Sequence, residues 1–416
     1  MDILRNDYIK QLEAKSWNGK VKIITGIRRC GKSYLLSHLY KQHLLQQGVE
    51  EDSFVEIDLE KDYNKAYRDP ITLYEYVMSL CNDKKRKYYV FIDEIQFTEG
   101  FSEVINSLLH IQNIDLYVTG SNSKFLSNDI LTEFRGRGDE IRVRPLSFKE
   151  FFSVYNGSEG KAWEDFYTFG ALPYVATLSN DTQKREYLEY LFNSVYLKDI
   201  IERNKIKGDE ELGILVDILA SSVGSITNPS NLSNAFKSVR KIAITDKTLK
   251  NYIDFLQDAF LIEKCVRYDI KGKRYIDTPA KYYFTDVGLR NFRLNFRQQE
   301  ENHIMENIIY NELRLRGCSV DVGCVPIFET NGDGTRKRKN LEIDFVANSG
   351  GKRFYVQSAY EMKTEEKIEQ EKKSLLCAKD SFQKVIVVKD DIKTRYDEDG
   401  IITVGLYDFL LGRVEL

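Results

Sequence analysis

One octapeptide constrains this chain more than anything else in it. Gly26-Ile27-Arg28-Arg29-Cys30-Gly31-Lys32-Ser33 meets the pattern GxxxxGK[ST] at every required position. The run before it, Val21-Lys22-Ile23-Ile24-Thr25, reads as a buried strand, and Tyr34-Leu35-Leu36 through Leu39 and Leu44-Leu45 reads as a helix after it. A strand, a glycine-rich turn and a helix start are what a phosphate-binding loop needs. Glycines let backbone N–H groups turn inward around anionic oxygens, and a helix N-terminus adds its dipole. On this reading Lys32 reaches the β- and γ-phosphates of ATP and Ser33 ligates Mg2+. Gly26, Arg28, Arg29, Cys30, Gly31 and Tyr34 complete the candidate nucleotide-binding set, with Arg28 and Arg29 facing phosphate, an acidic neighbour or solvent.

A second element supports the first. Tyr88-Tyr89-Val90-Phe91-Ile92-Asp93-Glu94 is an apolar strand ending in two carboxylates, about 60 residues further on. Asp93 at the strand tip would hold Mg2+ through water, and Glu94 would orient and deprotonate the attacking water. The two elements together specify an ATP-binding P-loop fold far better than either alone. The next strand ends in Thr119-Gly120-Ser121-Asn122-Ser123, where Ser121 and Asn122 are candidates to sense the γ-phosphate, although a turn of small polar residues looks the same. Arg137, in Phe134-Arg135-Gly136-Arg137, is a candidate arginine finger acting in trans in a homo-oligomer, or else part of a basic surface loop.

The chain has 416 residues, a soft prior for two to three domains. With 61 Lys+Arg against 64 Asp+Glu and 42% hydrophobic residues it fits a folded globular protein, and the composition argues against disorder. No apolar run reaches the roughly 20 residues that span a bilayer, so no membrane association is expected. The start lacks the basic and apolar stretches of a secretory signal, which makes the expected location cytoplasmic. Six cysteines without a CxxC pair read as free thiols, and the four histidines are scattered.

Taken in order, Gly26 to Ser33, Ile92-Asp93-Glu94-Ile95-Gln96, Thr119 to Lys124, Arg135-Gly136-Arg137 and Pro145-Leu146-Ser147-Phe148-Lys149-Glu150-Phe151 form a set. This set resembles the prokaryotic predicted AAA+ superfamily ATPases, related to archaeal ATPases, that carry a C-terminal domain of unknown function. Gly170-Ala171-Leu172-Pro173-Tyr174, Tyr196-Leu197-Lys198-Asp199-Ile200 and Lys281-Tyr282-Tyr283-Phe284-Thr285-Asp286-Val287-Gly288-Leu289-Arg290 extend the resemblance over essentially the whole chain. The resemblance implies ATP binding and hydrolysis, with ATP and Mg2+ as ligands.

Beyond the core, helical patterns near Pro229 and after Thr245, then two strand-like runs, describe a winged helix. Between Phe236 and Phe284, eleven basic residues stand against six acidic ones, a local excess of five. Lys247 and Lys250 on the second helix and Lys271, Lys273 and Arg274 in the wing are candidate DNA contacts, with a protein partner as the other reading. Further on, a helix carrying Glu306, a strand carrying Asp344 and a strand with Gln357-Ser358-Ala359 resemble a PD-(D/E)xK nuclease core. In such a core, a helical Glu, an Asp and a Glu-x-Lys bind Mg2+ and activate water. Gln357 and Ala359 depart from that pattern, so Glu306, Asp344 and Gln357 read as a degenerate site without nuclease activity; a literal Glu361-Met362-Lys363 follows.

The expected fold is therefore α/β: a P-loop NTPase core over 1–150, a helical extension over 151–207, a winged-helix domain over 208–294 and an α/β nuclease-like domain over 295–416. Three functional readings stand: an ATPase driving a DNA- or partner-binding C-terminal half, an ATP-dependent switch with negligible turnover, and a DNA-processing nuclease loaded by ATP.

Overall fold

The computed structural model of the chain describes residues 2–121, 136–240, 244–297, 300–330 and 336–414. The chain divides into two compact units. One comprises Met1–Pro145 with Leu172–Tyr174 and Asp258–Phe260, and the other comprises Leu146–Ala171, Val175–Gln257 and Leu261–Leu416. Among the described residues, no helix is long and apolar enough to cross a membrane.

The first unit is built on five strands: β1 (Val21–Thr25), β2 (Phe54–Asp58), β3 (Tyr88–Asp93), β4 (Ile114–Gly120) and β5 (Gly138–Arg142), in the spatial order β2-β3-β4-β1-β5. Every neighbouring pair is parallel. Parallel strands need long crossovers, and helices covering the faces explain why β1 and β4 are buried at every residue. One face packs Val21, Ile23, Val90, Ile92 and Val118 under Leu73, Val77 and Leu108 of the helices Pro70–Leu80 and Phe101–Leu108. On the other face, Tyr40 from the helical run Lys32 to Gln46 packs on Phe91 and Tyr117. The consequence for function is geometric: all five carboxyl ends share one edge, where ligands of open α/β sheets bind.

The second unit opens with helices, among them Glu159–Phe169, Asp181–Tyr190, Asp209–Ser221 and Pro229–Arg240. The helix Asp246–Asp258 follows, shared at its end with the first unit. Then come β6 (Ile262–Asp269) and β7 (Arg274–Phe284), the helices Val287–Arg293 and Glu301–Leu315, and β8 (Ser319–Thr330), β9 (Arg336–Ser349) and β10 (Lys352–Ala359). The helix Glu365–Cys377, β11 (Gln383–Val388), β12 (Arg395–Tyr396) and β13 (Ile401–Gly405) complete it. Its eight strands form one sheet in the order β12-β13-β11-β10-β9-β8-β6-β7. The two strands read as a wing do pair antiparallel, but β6 also pairs in parallel with β8. They form the edge of the C-terminal sheet, a long-range pairing that local patterning cannot reveal.

Two sequence motifs of this unit prove to be one clasp. The Asp286 carboxylate caps the helix Val287–Arg293 by accepting from Leu289 N at 3.1 Å, and its other oxygen accepts from Ala171 N at 2.7 Å. Gly170, at φ +77°, and Gly288 let the two segments close. A Cβ on Gly170 would lie 2.3 Å from Asp286 Oδ1, and one on Gly288 would lie 2.0 Å from the Phe169 carbonyl. Asp286→Ala removes both bonds and leaves a buried amide without its acceptor. It should lower the stability of the full chain by about 1–3 kcal/mol; an unchanged midpoint in urea unfolding would contradict the clasp.

Candidate nucleotide site

At the carboxyl edge of the first sheet, β1 delivers the chain into the loop Gly26–Ser33. Gly26 adopts φ +146°, and a Cβ there would come within 2.0 Å of the Val143 carbonyl, so only glycine fits. Gly31, at φ +97°, precedes the helix that starts at Lys32. Arg5 braces the loop from behind, donating to the Cys30 carbonyl at 3.3 Å and to the Arg144 carbonyl at 2.9 Å. The Cys30 thiol is buried, donates to the Val143 carbonyl at 3.4 Å and is pushed up in pKa by that burial. It is therefore an inert packing residue.

Lys32 lies buried inside the loop, donating to the Gly26 and Ile27 carbonyls at 3.1 and 3.4 Å, with Glu94 Oε1 3.8 Å away. Ser33 Oγ donates to Asp93 Oδ2 at 2.7 Å. The strand β4 lies between β1 and β3 and supplies the link that sequence reading missed. The Thr119 hydroxyl donates to Asp93 Oδ1 and accepts from Glu94 N at 2.9 Å. Burial raises the Asp93 carboxyl, and the Glu94 charge adds to that; the bonds from Thr119 and Ser33 only partly offset it. Glu94 sits in the left-handed region, φ 52°, a conformation that costs a non-glycine residue of order 1 kcal/mol and clusters at functional sites. Its carboxylate accepts from Ser121 Oγ at 3.1 Å and from the Gln96 amide. Arg28 Nε in turn donates to Ser121 Oγ at 3.3 Å.

Lys32, Ser33, Asp93, Glu94, Ser121 and Arg28 thus converge. Arg29 is exposed at φ 63°, and the Tyr34 hydroxyl turns to Asp2. Asn122 lies outside the described residues. Arg137 lies at the opposite edge of the sheet: its carbonyl accepts from Val21 N at the amino end of β1. One five-residue strand, roughly 16 Å, therefore separates it from the loop of its own chain. Ser33 Oγ and Asp93 Oδ2 are hard oxygen donors of the kind Mg2+ takes, so this pair fits that ion.

In the second unit the nuclease-like residues meet a partner that sequence reading missed. The buried Lys281 ammonium is 2.9 Å from Glu306, 2.7 Å from Glu342 and 3.8 Å from Asp344. Burial alone would lower Lys281, but Glu306, Asp344 and Glu342 outweigh it and raise its pKa. Burial, with Glu306 beside it, pushes the Asp344 carboxyl upward, and the Lys281 charge opposes that rise. Gln357 points its amide at Glu371, 3.2 Å away, and accepts from Asp344 N at 3.4 Å. Ala359 is buried at the end of β10. Glu361 and Lys363 lie beyond that strand, exposed and paired with each other at 3.2 Å.

The candidate DNA contacts fall into two places. Lys247 and Lys250 are exposed on the helix Asp246–Asp258. Lys271, Lys273 and Arg274 are exposed at the β6–β7 turn, where Lys271 and Arg274 line a groove of about 690 Å³ with Phe328, Arg338 and Lys379. Arg336, Lys337, Arg338 and Lys339 form an exposed basic run on β9. That run is legible in the sequence, but only the fold sets it beside the turn.

Comparison with known proteins agrees with the first sheet. A family model described as an AAA domain matches residues 18–152, and one for a domain of unknown function matches 160–300. An uncharacterized protein of Haemophilus influenzae is 33% identical over 414 residues, 98% of each chain. One from Methanocaldococcus jannaschii is 28% identical over 367 residues, 85% of this chain and 77% of its own. The crystal structure of Cdc6p from Pyrobaculum aerophilum aligns with a TM-score of 0.31 and 14% identity, over 74% of this chain and 94% of that one. With a parallel P-loop sheet in place and a full-length relative, the chain belongs to the AAA-domain family of P-loop ATPases whose members carry a second domain of unknown function.

Proposed function

We propose that the chain hydrolyses ATP in a Mg2+-dependent reaction at the carboxyl edge of its first sheet. One observation carries this reading: the Glu94 carboxylate is held at the end of β3 by Ser121 and Gln96, 3.8 Å from the Lys32 ammonium. Lys32 and the loop N–H groups bind the phosphates, while Ser121, tied to Arg28, reports on the γ-phosphate. Ser33 and Asp93 would hold Mg2+, which when bound would supply positive charge against the phosphate oxygens. Glu94 orients a water and accepts its proton. Arg137 enters this reading only as a residue given to a neighbouring copy in a homo-oligomer.

The same hydrogen bonds favour one second reading, an ATP-locked switch, because they keep the Glu94 carboxylate engaged. Glu94→Gln separates the two. For an ATPase it should leave ATP binding intact and lower the rate of phosphate release by about 10²–10⁴-fold. An unchanged rate would remove Glu94 from the chemistry.

We also propose the division 1–150, 151–207, 208–294 and 295–416, with the winged-helix-like and nuclease-like segments serving DNA contact. The groove at the β6–β7 turn supports this, because it puts Lys271, Arg274, Arg338 and Lys379 together with the exposed ring of Phe328. Basic groups track phosphates, and an exposed ring can stack on a base. Changing Lys271, Lys273, Arg274 and Arg338 to Glu should weaken DNA binding and make its salt dependence shallower, by about 0.9 in log–log slope for each phosphate that is no longer neutralised. A binding isotherm unchanged in both respects would move the interaction elsewhere and favour a protein partner.

A further inference from the structure

Three carboxylates from two elements meet one ammonium in the second unit. Lys281 arrives on β7 and is 2% exposed. Glu306 arrives on the helix Glu301–Leu315, and Glu342 and Asp344 on β9, where residues two apart share a face. Lys281 Nζ donates a charge-assisted hydrogen bond to Glu306 Oε1 at 2.9 Å and forms an ion pair with Glu342 at 2.7 Å. Glu306 Oε1 accepts from the Tyr283 hydroxyl as well, at 2.6 Å, and Asp344 Oδ2, the oxygen not facing Lys281, accepts from Ser358 N at 2.8 Å.

A divalent metal needs its oxygens at about 2.0–2.6 Å around one point. Among the described residues, no three His, Cys, Asp or Glu side chains are arranged to hold such an ion. The point on which Glu306, Glu342 and Asp344 converge is filled by Nζ, and Gln357 is turned toward Glu371. The residues therefore do not fit a resident metal.

We infer that the Lys281 ammonium is the built-in cation of this acidic centre, standing where a metal-dependent nuclease core would hold a divalent ion. The centre is a cross-link tying β7 to the helix Glu301–Leu315 and to β9, and it cleaves no phosphodiester. Divalent metal enters only when Lys281 is removed, because the carboxylates left behind then lack a counter-charge.

The test uses the full chain without nucleotide and Mn2+ alone as the probe, counted by electron paramagnetic resonance. Asp344→Asn leaves Ser33 and Asp93 untouched, so it separates this centre from the phosphate loop. Wild type and Asp344→Asn should bind the same number of ions. Lys281→Ala should bind one more, and Lys281→Ala with Asp344→Asn should lose it again. A wild-type Mn2+ site abolished by Asp344→Asn overturns the inference, as does a folded Lys281→Ala protein that gains no ion. Should Lys281→Ala fail to fold, melting temperatures decide. Glu306→Gln added to Lys281→Met should recover most of what Lys281→Met loses, since it removes a stranded charge. No recovery would show that Lys281 does not act as counter-ion.

Discussion

The placement of β4 between β1 and β3 is the constraint on which the first unit depends. Register pairs Thr25 with Gly120 and Ile92 with Val118, so the loop after β1, the carboxylates ending β3 and the hydroxyls ending β4 reach the same edge. Thr119 then joins them, touching both Asp93 and Glu94 N. A one-residue slip of β4 would turn that hydroxyl to the other face. The positive φ of Glu94 is held against its own cost by this bond and by the packing of Ile92 and Ile95 beneath it.

The second unit depends on buried charge in the same way. Asp286 ties the segment Phe169–Ala171 to a helix start, and Lys281, five residues earlier, ties β7 to β9. Each charge is matched by several partners, which is what lets it remain buried. The run from Lys281 to Arg290 thus carries two cross-links, and Arg290 adds a bond to the Ala220 carbonyl at 2.8 Å. These residues hold the unit together, an account of the motif that needs no catalytic role.

How much was legible in the sequence follows from the range of each interaction. The loop Gly26–Ser33 and the strand ending at Asp93 are written in local spacing, and so are the strands β1 to β4 and the helix Glu301–Leu315. The part played by Thr119 is not legible in the sequence, because it exists only through the β3–β4 register. Arg137 stands two residues from Arg135 in an expected site motif, yet parallel pairing with β1 sends it to the far edge. Lys281 counted as one of eleven basic residues in a basic segment, whereas in the fold it is neutralised by carboxylates up to 63 residues away. Charge counted along a chain says little about charge displayed at a surface.

Everything proposed for the first unit requires that the loop Gly26–Ser33 bind the phosphates of ATP around the Lys32 ammonium. Isothermal titration of Mg2+ and ATP into the wild-type chain and into Lys32→Ala tests it most directly. Saturable binding at one site is expected in wild type, with loss of most of that affinity in a folded Lys32→Ala protein. Equal affinity in the two proteins would contradict it.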